Sequence, residues 1–430
     1  FSQNMERLES NTGSKFVPSK EKVAGTTNPT DVWISAATQG LIKFVHEEMT
    51  AYRLYTVMPA LVSFVTQLTN WYVRLNRDRL KGLEGGESES ETGLQVMYDV
   101  LLDVTILMAP FTPFITEYFY QHLRKLQPSY ADAANGGGSS NPVMPGKSDS
   151  VHFLRLPAYD ESRLNADAVE AMEALQVIVE NGRNVREKRN ISLRTPVKCV
   201  TVILRNPSAN VVEALNGPLK GYILSELNAW DLVIVPKEEE HEWVTLSLIP
   251  NFNLLGRKLG KKMKDFKSYV TAMSHADAVA CLENGGMDFE GLTISAKDEL
   301  VSKLSFSKEG EQWESTSTPE GDVVVAVDCT QDEAILSAGR SRELINAIQQ
   351  LRKAAGLDLG DAVEVFFEET EGISVVESAV SMNTDVFETK FQGAIPVPKK
   401  FAPSWSVVLR SDTTEIGGSK VEVSICRPAV

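Results

Sequence analysis

The hydrophobic residues from Asp31 to about Leu126 recur at intervals of three and four positions, with polar residues between them. This spacing predicts amphipathic helices that each bury one face. We expect Thr30 or Asp31 to cap the first helix, with Tyr52 on its apolar side. Because the pattern indicates four or five long helices joined by short loops, it predicts an all-α helical bundle as the first domain, over residues 1–160.

The pattern changes at residues 128–150, which are small, polar and rich in Gly and Pro. We expect this stretch to form an exposed, mobile insertion or linker. Beyond it, Asn165 can cap an amphipathic helix. Helix-like stretches then alternate with short runs of β-branched residues such as 199–204. This alternation predicts an α+β domain over residues 161–310.

A third block covers residues 311–430. Its predicted strand at 323–327, helix at 333–355 and strand at 363–367 together have the size of a βαβ unit, so this block is predicted to be an α/β domain. Two later strands flank the turn-prone pair Gly417-Gly418. The predicted fold class is multi-domain, with an all-α helical bundle followed by α+β domains.

Composition excludes several classes of protein. The chain has 430 residues, 43% of them hydrophobic, and a formal net charge of −15, which is ordinary for a globular protein. No run approaches the roughly 18 apolar residues of a membrane helix, so no membrane partner is expected. The four cysteines never form a C-x-x-C pair, so we expect reduced thiols, no zinc and a cytoplasmic location. The chain begins at Phe1 rather than Met, and we expect it to be a segment of a longer protein.

No catalytic residue and no metal ligand is predicted. The sequence contains no G-x-S-x-G, H-E-x-x-H or G-x-x-x-x-G-K-[ST] motif. None of the five histidines comes with a local Ser, Cys or carboxylate pattern that marks a triad. The acidic net charge argues against indiscriminate nucleic-acid binding, and DNA is not an expected partner, but local basic patches can still attract phosphate.

The first basic cluster lies in residues 70–81, where four cations and two amides interleave with two aromatic residues. A guanidinium fork binds phosphate and an amide can read a base edge, so the cluster suits RNA contact. It predicts four RNA-binding residues: Arg74, Asn76, Arg77 and Arg79. On a helix Arg74, Arg77 and Lys81 share a face. Salt bridges within the bundle are an equal alternative for the arginines, and core packing is the favoured role of the two aromatics.

A second basic cluster begins at Arg183, where seven cations and one acid occur before residue 206. Its local field should attract phosphate despite the acidic net charge. It predicts four further RNA-binding residues: Arg186, Lys188, Arg189 and Arg194. A third basic run, at 257–267, is explained about as well by a solvated helix face as by RNA contact.

Three strings in the predicted bundle resemble the isoleucyl-tRNA synthetase family: Glu-Met-Thr-Ala-Tyr-Arg-Leu-Tyr from Glu48, Asn-Trp-Tyr-Val-Arg from Asn70, and Ala-Pro-Phe-Thr-Pro-Phe from Ala109. The last two are shared more loosely by the valyl and leucyl relatives, and the first favours the isoleucyl member. Residues 182–196 and 339–357 resemble the junction region of the eukaryotic cytoplasmic type. The resemblance is weaker over the last sixty or so residues.

The resemblance implies a helical anticodon-binding domain, a junction domain and a C-terminal extension. The family's ATP-handling signatures, His-Ile-Gly-His and Lys-Met-Ser-Lys-Ser, are absent from the sequence, as is the editing insertion. It therefore implies the tRNA-binding portion of an isoleucine–tRNA ligase, with isoleucine tRNA as the partner. The whole enzyme uses ATP and Mg²⁺, whereas this segment is expected to hold no cofactor.

Three alternatives stay open at this level. The chain could derive from a valyl- or leucyl-type synthetase, or it could be a non-catalytic RNA-binding or scaffold protein descended from a synthetase. The third is that the strand-rich, acidic extension serves mainly to dock other synthetases or scaffold proteins.

Overall fold

The computed structural model describes residues 1–127, 149–308, 310, 312–319, 321–357, 361–369, 375–391 and 394–427. Contacts between residues divide the chain into two compact units, Phe1–Ala174 and Leu175–Val430. The predicted linker at 128–150 lies almost wholly outside the described residues. None of the described helices combines the length and the apolar character that a membrane span requires.

In the described part of the first unit, all regular secondary structure is helical. The α-helices are α1 (Ser2–Thr12), α2 (Lys20–Ala24), α3 (Pro29–Thr50), α4 (Leu54–Gln67), α5 (Val73–Leu75), α6 (Arg77–Leu80), α7 (Gly86–Met108) and α8 (Pro113–Leu123). A π-helical turn, Leu68–Tyr72, joins α4 to α5. Helix α9 (Ala166–Lys188) runs from the first unit into the second, and Asn165 caps it as predicted, accepting from the backbone N–H of Ala168 at 3.0 Å.

Helix α3 begins earlier than the sequence suggested. The Asn28 side chain accepts hydrogen bonds from the backbone N–H groups of Thr30 (2.9 Å) and Asp31 (3.4 Å), and Pro29 occupies the first helical position. The predicted cap at Thr30 or Asp31 was therefore wrong, because proline at this position already favours the helical backbone. Tyr52 is also misplaced in the prediction, since it lies beyond the end of α3 with a left-handed backbone (φ 56°).

Helices α3 and α7 run in the same direction. The hydroxyl of Tyr72 donates to the Asp31 carboxylate near the start of α3 (2.8 Å) and to the Gly93 carbonyl in the first half of α7 (3.2 Å). A second link lies further along both helices: in the turn at 160–163, the backbone N–H of Asp160 donates to Gln39 of α3 (2.8 Å) and Arg163 pairs with Asp99 of α7 (2.9 Å). The two helices therefore pack side by side in the same direction. Their C-terminal ends, and the turns that lead into α4 and α8, therefore lie at the same end of the first unit.

The second unit contains four sheets in its described part. The strands are β1 (Val197–Leu204), β2 (Ala229–Ile234), β3 (Val244–Pro250), β4 (Gly286–Phe289), β5 (Leu292–Ser295), β6 (Leu300–Phe306), β7 (Trp313–Ser317), β8 (Val323–Asp328), β9 (Glu364–Glu369), β10 (Val397–Pro398), β11 (Val408–Ile416) and β12 (Ser419–Cys426). They form two four-stranded sheets, ordered β2-β1-β8-β7 and β10-β9-β12-β11, and the pairs β3-β6 and β4-β5.

Helices cover these sheets. They are α10 (Ala209–Asn216), α11 (Lys220–Leu227), α12 (Glu240–Trp243), α13 (Phe252–Leu259), α14 (Met263–Thr271), α15 (His275–Glu283), α16 (Glu333–Ala354), α17 (Val375–Met382) and α18 (Thr384–Lys390). Among the described residues of the second unit, one apolar core lies under β3 and β6 and another lies between α16, α17 and the sheet of β9 and β12.

The strands flanking α16 do not form the βαβ unit that the sequence suggested. Strand β8 pairs antiparallel with β1, whereas β9 pairs antiparallel with β12 in a different sheet. The predicted domain boundary at 310 therefore separates β7 and β8 from β1, although all three belong to one sheet. Local patterning indicates that a segment is a strand, but its partner lies far along the chain: Val327 of β8 pairs with Val200 of β1, and Glu364 of β9 pairs with Cys426 of β12.

Candidate nucleic-acid interface

The first basic cluster is split between the surface and the core of the first unit. Arg74 and Arg77 are exposed, as is Lys81 just after α6. Arg77 and Lys81 make no salt bridge with any residue that the structure describes. These cations are therefore placed where a phosphate can reach them.

Arg79 faces the opposite way and only 5% of it is exposed. Its Nη1 and Nη2 donate to the two carboxylate oxygens of Asp31 at 2.9 and 2.8 Å, and its Nε donates to Glu89 at 2.9 Å. Burial alone disfavours the charged guanidinium, but the hydrogen bonds and charge of Asp31 outweigh it and raise the pKa of Arg79. The predicted RNA contact at Arg79 is therefore corrected to an internal ion pair.

Asn76 is fully buried beside this pair. Its amide nitrogen donates to the Thr30 hydroxyl (2.8 Å) and the Tyr72 carbonyl (2.9 Å), and its Oδ1 accepts from Nη1 of Arg79 (3.1 Å). Because both ends of the amide already have partners inside the unit, the predicted base contact at Asn76 is likewise corrected to a structural role.

The second cluster is also divided. Arg186 is 2% exposed, and its guanidinium donates to the Leu227 carbonyl at 3.0 Å and to the carbonyls of Ser192 and Thr195. Burial lowers the pKa of Arg186 to about 10. It holds the turn between α9 and β1 closed, so the predicted RNA contact at Arg186 is corrected as well.

Three cations of the second cluster lie at the surface. Lys188 donates to the Ser315 carbonyl (3.0 Å), and Arg189 pairs with Glu314 (3.0 Å), so both are tied to β7. Arg194 is exposed and makes no ion pair with the described residues. Of the eight predicted residues, Arg74, Arg77 and Arg194 are therefore the exposed cations not tied to β7, and Arg77 and Arg194 make no ion pair with the described residues.

The structure adds a group of exposed aromatic residues that the charge pattern did not identify. Tyr52 is 89% exposed and Phe114 is 91% exposed, and Tyr55 and Tyr118 are largely exposed as well. Tyr52 and Tyr55 flank the turn after α3, while Phe114 and Tyr118 lie on α8 just after α7. Because α3 and α7 end at the same end of the first unit, these four residues form an aromatic end, opposite to the end that carries Arg77.

The turn that presents Tyr52 is held by the buried carboxylate of Glu48. It accepts from Nε of Arg53 at 2.9 Å and from the Thr56 hydroxyl at 2.6 Å. The hydrogen bonds from Arg53 and then Thr56 lower the pKa of Glu48 to about 2. A bulky residue at positive φ is uncommon and strained, and such strain is often found at functional sites. In the sequence, these aromatic residues were indicated only by the two strings that resemble the synthetase family, which begin at Glu48 and at Ala109.

The chain is similar in sequence to parts of known tRNA ligases. Residues 31–203 match the family described as the anticodon-binding domain of tRNA ligase. The chain is 33% identical to the cytoplasmic isoleucine–tRNA ligase of Arabidopsis thaliana over 100% of its own length and 35% of that protein. It is 30% identical to the mouse cytoplasmic enzyme over 99% of its length and 32% of that protein.

The chain belongs to the isoleucyl-tRNA synthetase family. The cytoplasmic enzyme of Saccharomyces cerevisiae gives a similar result, with 33% identity over 92% of this chain and 34% of the yeast protein. The chain thus spans about a third of the length of the synthetases it matches. The exposed cations near Arg77 and the aromatic end both lie within the residues that match the anticodon-binding domain.

Proposed function

We propose that this chain is the tRNA-binding portion of a cytoplasmic isoleucine–tRNA ligase and that its first unit, a helical bundle, binds the anticodon arm. The observation that carries the proposal is the exposure of Tyr52, Tyr55, Phe114 and Tyr118 in a unit that matches the anticodon-binding domain. Unpaired bases of an RNA loop are bound by stacking on aromatic side chains.

The two ends of the first unit suit two kinds of contact. The cations Arg74, Arg77 and Lys81 are suited to phosphates, which set the register of the RNA but carry no sequence information. The aromatic end is suited to splayed bases, which do carry it. Arg194 on the second unit adds a further exposed cation.

The complete ligase would join isoleucine to its tRNA with ATP and Mg²⁺. This chain would take no part in the chemical steps, because its sequence lacks both ATP-handling signatures. Its role would be to hold the tRNA so that the acceptor end reaches an active site elsewhere in the enzyme.

The test is equilibrium binding of the full chain to isoleucine tRNA and to a copy with an exchanged anticodon, each at several salt concentrations. We expect preference for the native anticodon. Replacing Tyr52 and Phe114 by Ala should weaken binding by about 1–3 kcal/mol per stacked base and reduce that preference. Phe401→Ala is the matched control, since Phe401 is an exposed aromatic residue of the second unit.

Two results would contradict the proposal. Absence of binding to either tRNA would remove RNA binding from this chain. Equal binding to both tRNAs, unchanged by the Tyr52 and Phe114 substitutions, would leave only a positioning role and place the recognition of the anticodon elsewhere.

A further inference from the structure

The second unit carries a strongly basic pair of short helices, α13 and α14, which lies outside the residues that match the anticodon-binding domain. Residues 252–271 contain six cations and one carboxylate, a local net charge of +5 in a chain whose total is −15. The basic run is interrupted at Gly260, whose backbone ends α13 before α14 begins at Met263.

Two of the six cations are neutralised by neighbouring carboxylates. Nζ of Lys258 lies 2.8 Å from Glu299, and Nζ of Lys262 lies 2.7 Å from Glu290. The remaining four are exposed and make no ion pair with residues in the described part of the chain: Arg257, Lys261, Lys264 and Lys267. Their positive charge is therefore left to face solvent.

The packing of the two helices fixes the direction of three of these four side chains. Leu255 and Leu259 of α13 and Phe266 and Val270 of α14 are buried in the core under β3 and β6. Arg257 lies on the face of α13 opposite this core, and Lys264 and Lys267 lie outside the buried stripe of α14, so these three cations are held outward by a helix. Lys261 lies in the short turn Gly260–Lys262 between the two helices.

Aromatic side chains interleave with the cations. Phe252 and Tyr269 are each about half exposed, and Nζ of Lys267 lies 5.9 Å from the centre of the Phe252 ring. A cation beside an open aromatic face can bind a phosphate while the ring accepts a base, which is the combination found in proteins that bind single-stranded RNA. A merely solvated helix face is typically interleaved with acids, whereas only Asp265 occurs here.

The burial of the apolar faces favours RNA over an anionic membrane. A helix that lies in a membrane interface inserts its apolar face into the boundary between headgroups and acyl chains. The apolar faces of α13 and α14 are already buried in the core.

We propose that α13 and α14 form a second RNA-binding surface, on which Arg257, Lys261, Lys264 and Lys267 bind the phosphate backbone of the same tRNA. This inference rests on the proposed function, because it requires tRNA to be the partner. It adds phosphate contacts in the second unit that are separate from anticodon recognition in the first.

The experiment compares two variants of the full chain that remove equal charge. In one, Arg257, Lys261, Lys264 and Lys267 are replaced by Gln. In the control, one arginine and three lysines that are exposed elsewhere in the second unit are replaced by Gln: Arg410, Lys353, Lys390 and Lys400. Binding to isoleucine tRNA is measured against salt concentration for both and for the unaltered chain.

The slope of log affinity against log salt should fall in magnitude by about 0.7–0.9 for each phosphate that is no longer bound, and so by about three for all four. The control should keep the slope of the unaltered chain, and anticodon preference should be the same in all three proteins. Replacing the three lysines by Arg should restore the slope, which shows that charge rather than folding is responsible.

The outcomes are distinguishable. If the unaltered chain does not bind tRNA, the proposed function fails and this inference fails with it. If the unaltered chain binds but the Gln variant keeps the slope of the control, only the inference is overturned. It is also overturned if the Gln variant loses binding to vesicles containing anionic lipid while its tRNA binding is unchanged, because the partner would then be a membrane.

Discussion

The ion pair between Arg79 and Asp31 is predicted to stabilise the first unit and to have no part in RNA contact. The perturbation is Arg79→Met, which keeps much of the side-chain volume and removes the charge. Asp31 is fully buried and accepts two hydrogen bonds from the guanidinium, with N–O distances of 2.8 and 2.9 Å. It also accepts from the hydroxyls of Tyr72 and Thr26, each at 2.8 Å.

The magnitude follows from this burial. Removing one partner of a buried pair leaves an uncompensated charge and costs about 3–5 kcal/mol. The hydroxyls of Tyr72 and Thr26 still hydrogen-bond the carboxylate in the variant but supply no positive charge, so we expect a loss within this range. Arg77→Met is the matched control, since Arg77 is exposed two positions away and its loss should change stability by less than about 0.5 kcal/mol.

Hydrogen exchange followed by mass spectrometry is the assay, because it reports on α3 and α7 separately from the second unit. We expect faster exchange in both helices for Arg79→Met and no change for Arg77→Met. Adding Asp31→Asn to Arg79→Met should recover part of the loss, since the buried charge is then gone. In tRNA binding, Arg77→Met should reduce the salt slope by about 0.7–0.9 for one phosphate contact.

The reasoning is refuted if Arg79→Met is as stable as Arg77→Met, or if folded Arg79→Met lowers the salt slope as Arg77→Met does. The first result would mean that the pair is not a determinant of stability. The second would return Arg79 to the RNA surface, contrary to its burial.

Two further predictions concern the interiors of the two units. Burial, reinforced by the charge of Asp99, raises the pKa of Asp103 to about 7. Because the Asp103 carboxyl of the unfolded chain ionises near pH 4, the folded state loses stability as the pH rises from about 4 to 7. Asp103→Asn should therefore recover at most about 4 kcal/mol at pH 8 and little at pH 4. Urea unfolding of the first unit at both pH values checks this, and an equal gain at both would contradict it. A Cβ atom at Gly182 would lie 2.6 Å from Cδ1 of Leu227, so Gly182→Ala should destabilise the second unit by about 1–3 kcal/mol. Gly221→Ala is the control and should not destabilise it, because a Cβ atom there has no neighbour within 4 Å. Equal melting temperatures for the two variants would contradict this packing argument.

Local sequence signals predicted much of the secondary structure. The Asn165 cap of α9 and the glycine pair between β11 and β12 act within a few residues of where they stand. Gly417 and Gly418 both have positive φ, as a two-residue hairpin turn requires, and the register pairs Ile416 with Ser419. These signals could be read from the sequence because their physical causes are local.

The roles of the cations could not be predicted in this way. Arg77 and Arg79 stand two positions apart, yet one is exposed and the other is paired with Asp31, 48 residues earlier in the chain. The π-helical turn at Leu68–Tyr72 and the break at Asn76 change the phase of the helix, so spacing alone cannot tell which cation faces inward.

The sequence by itself therefore determined the helical and strand segments, the family and the presence of basic clusters, because propensity, capping and residue strings are properties of neighbouring residues. Only the tertiary structure decided which members of each cluster reach solvent, which strands pair, and that Tyr52 and Phe114 come to the same end of the first unit. Burial and partner choice depend on residues that are distant in the chain, and the free energy of a charged side chain depends on what surrounds it after packing.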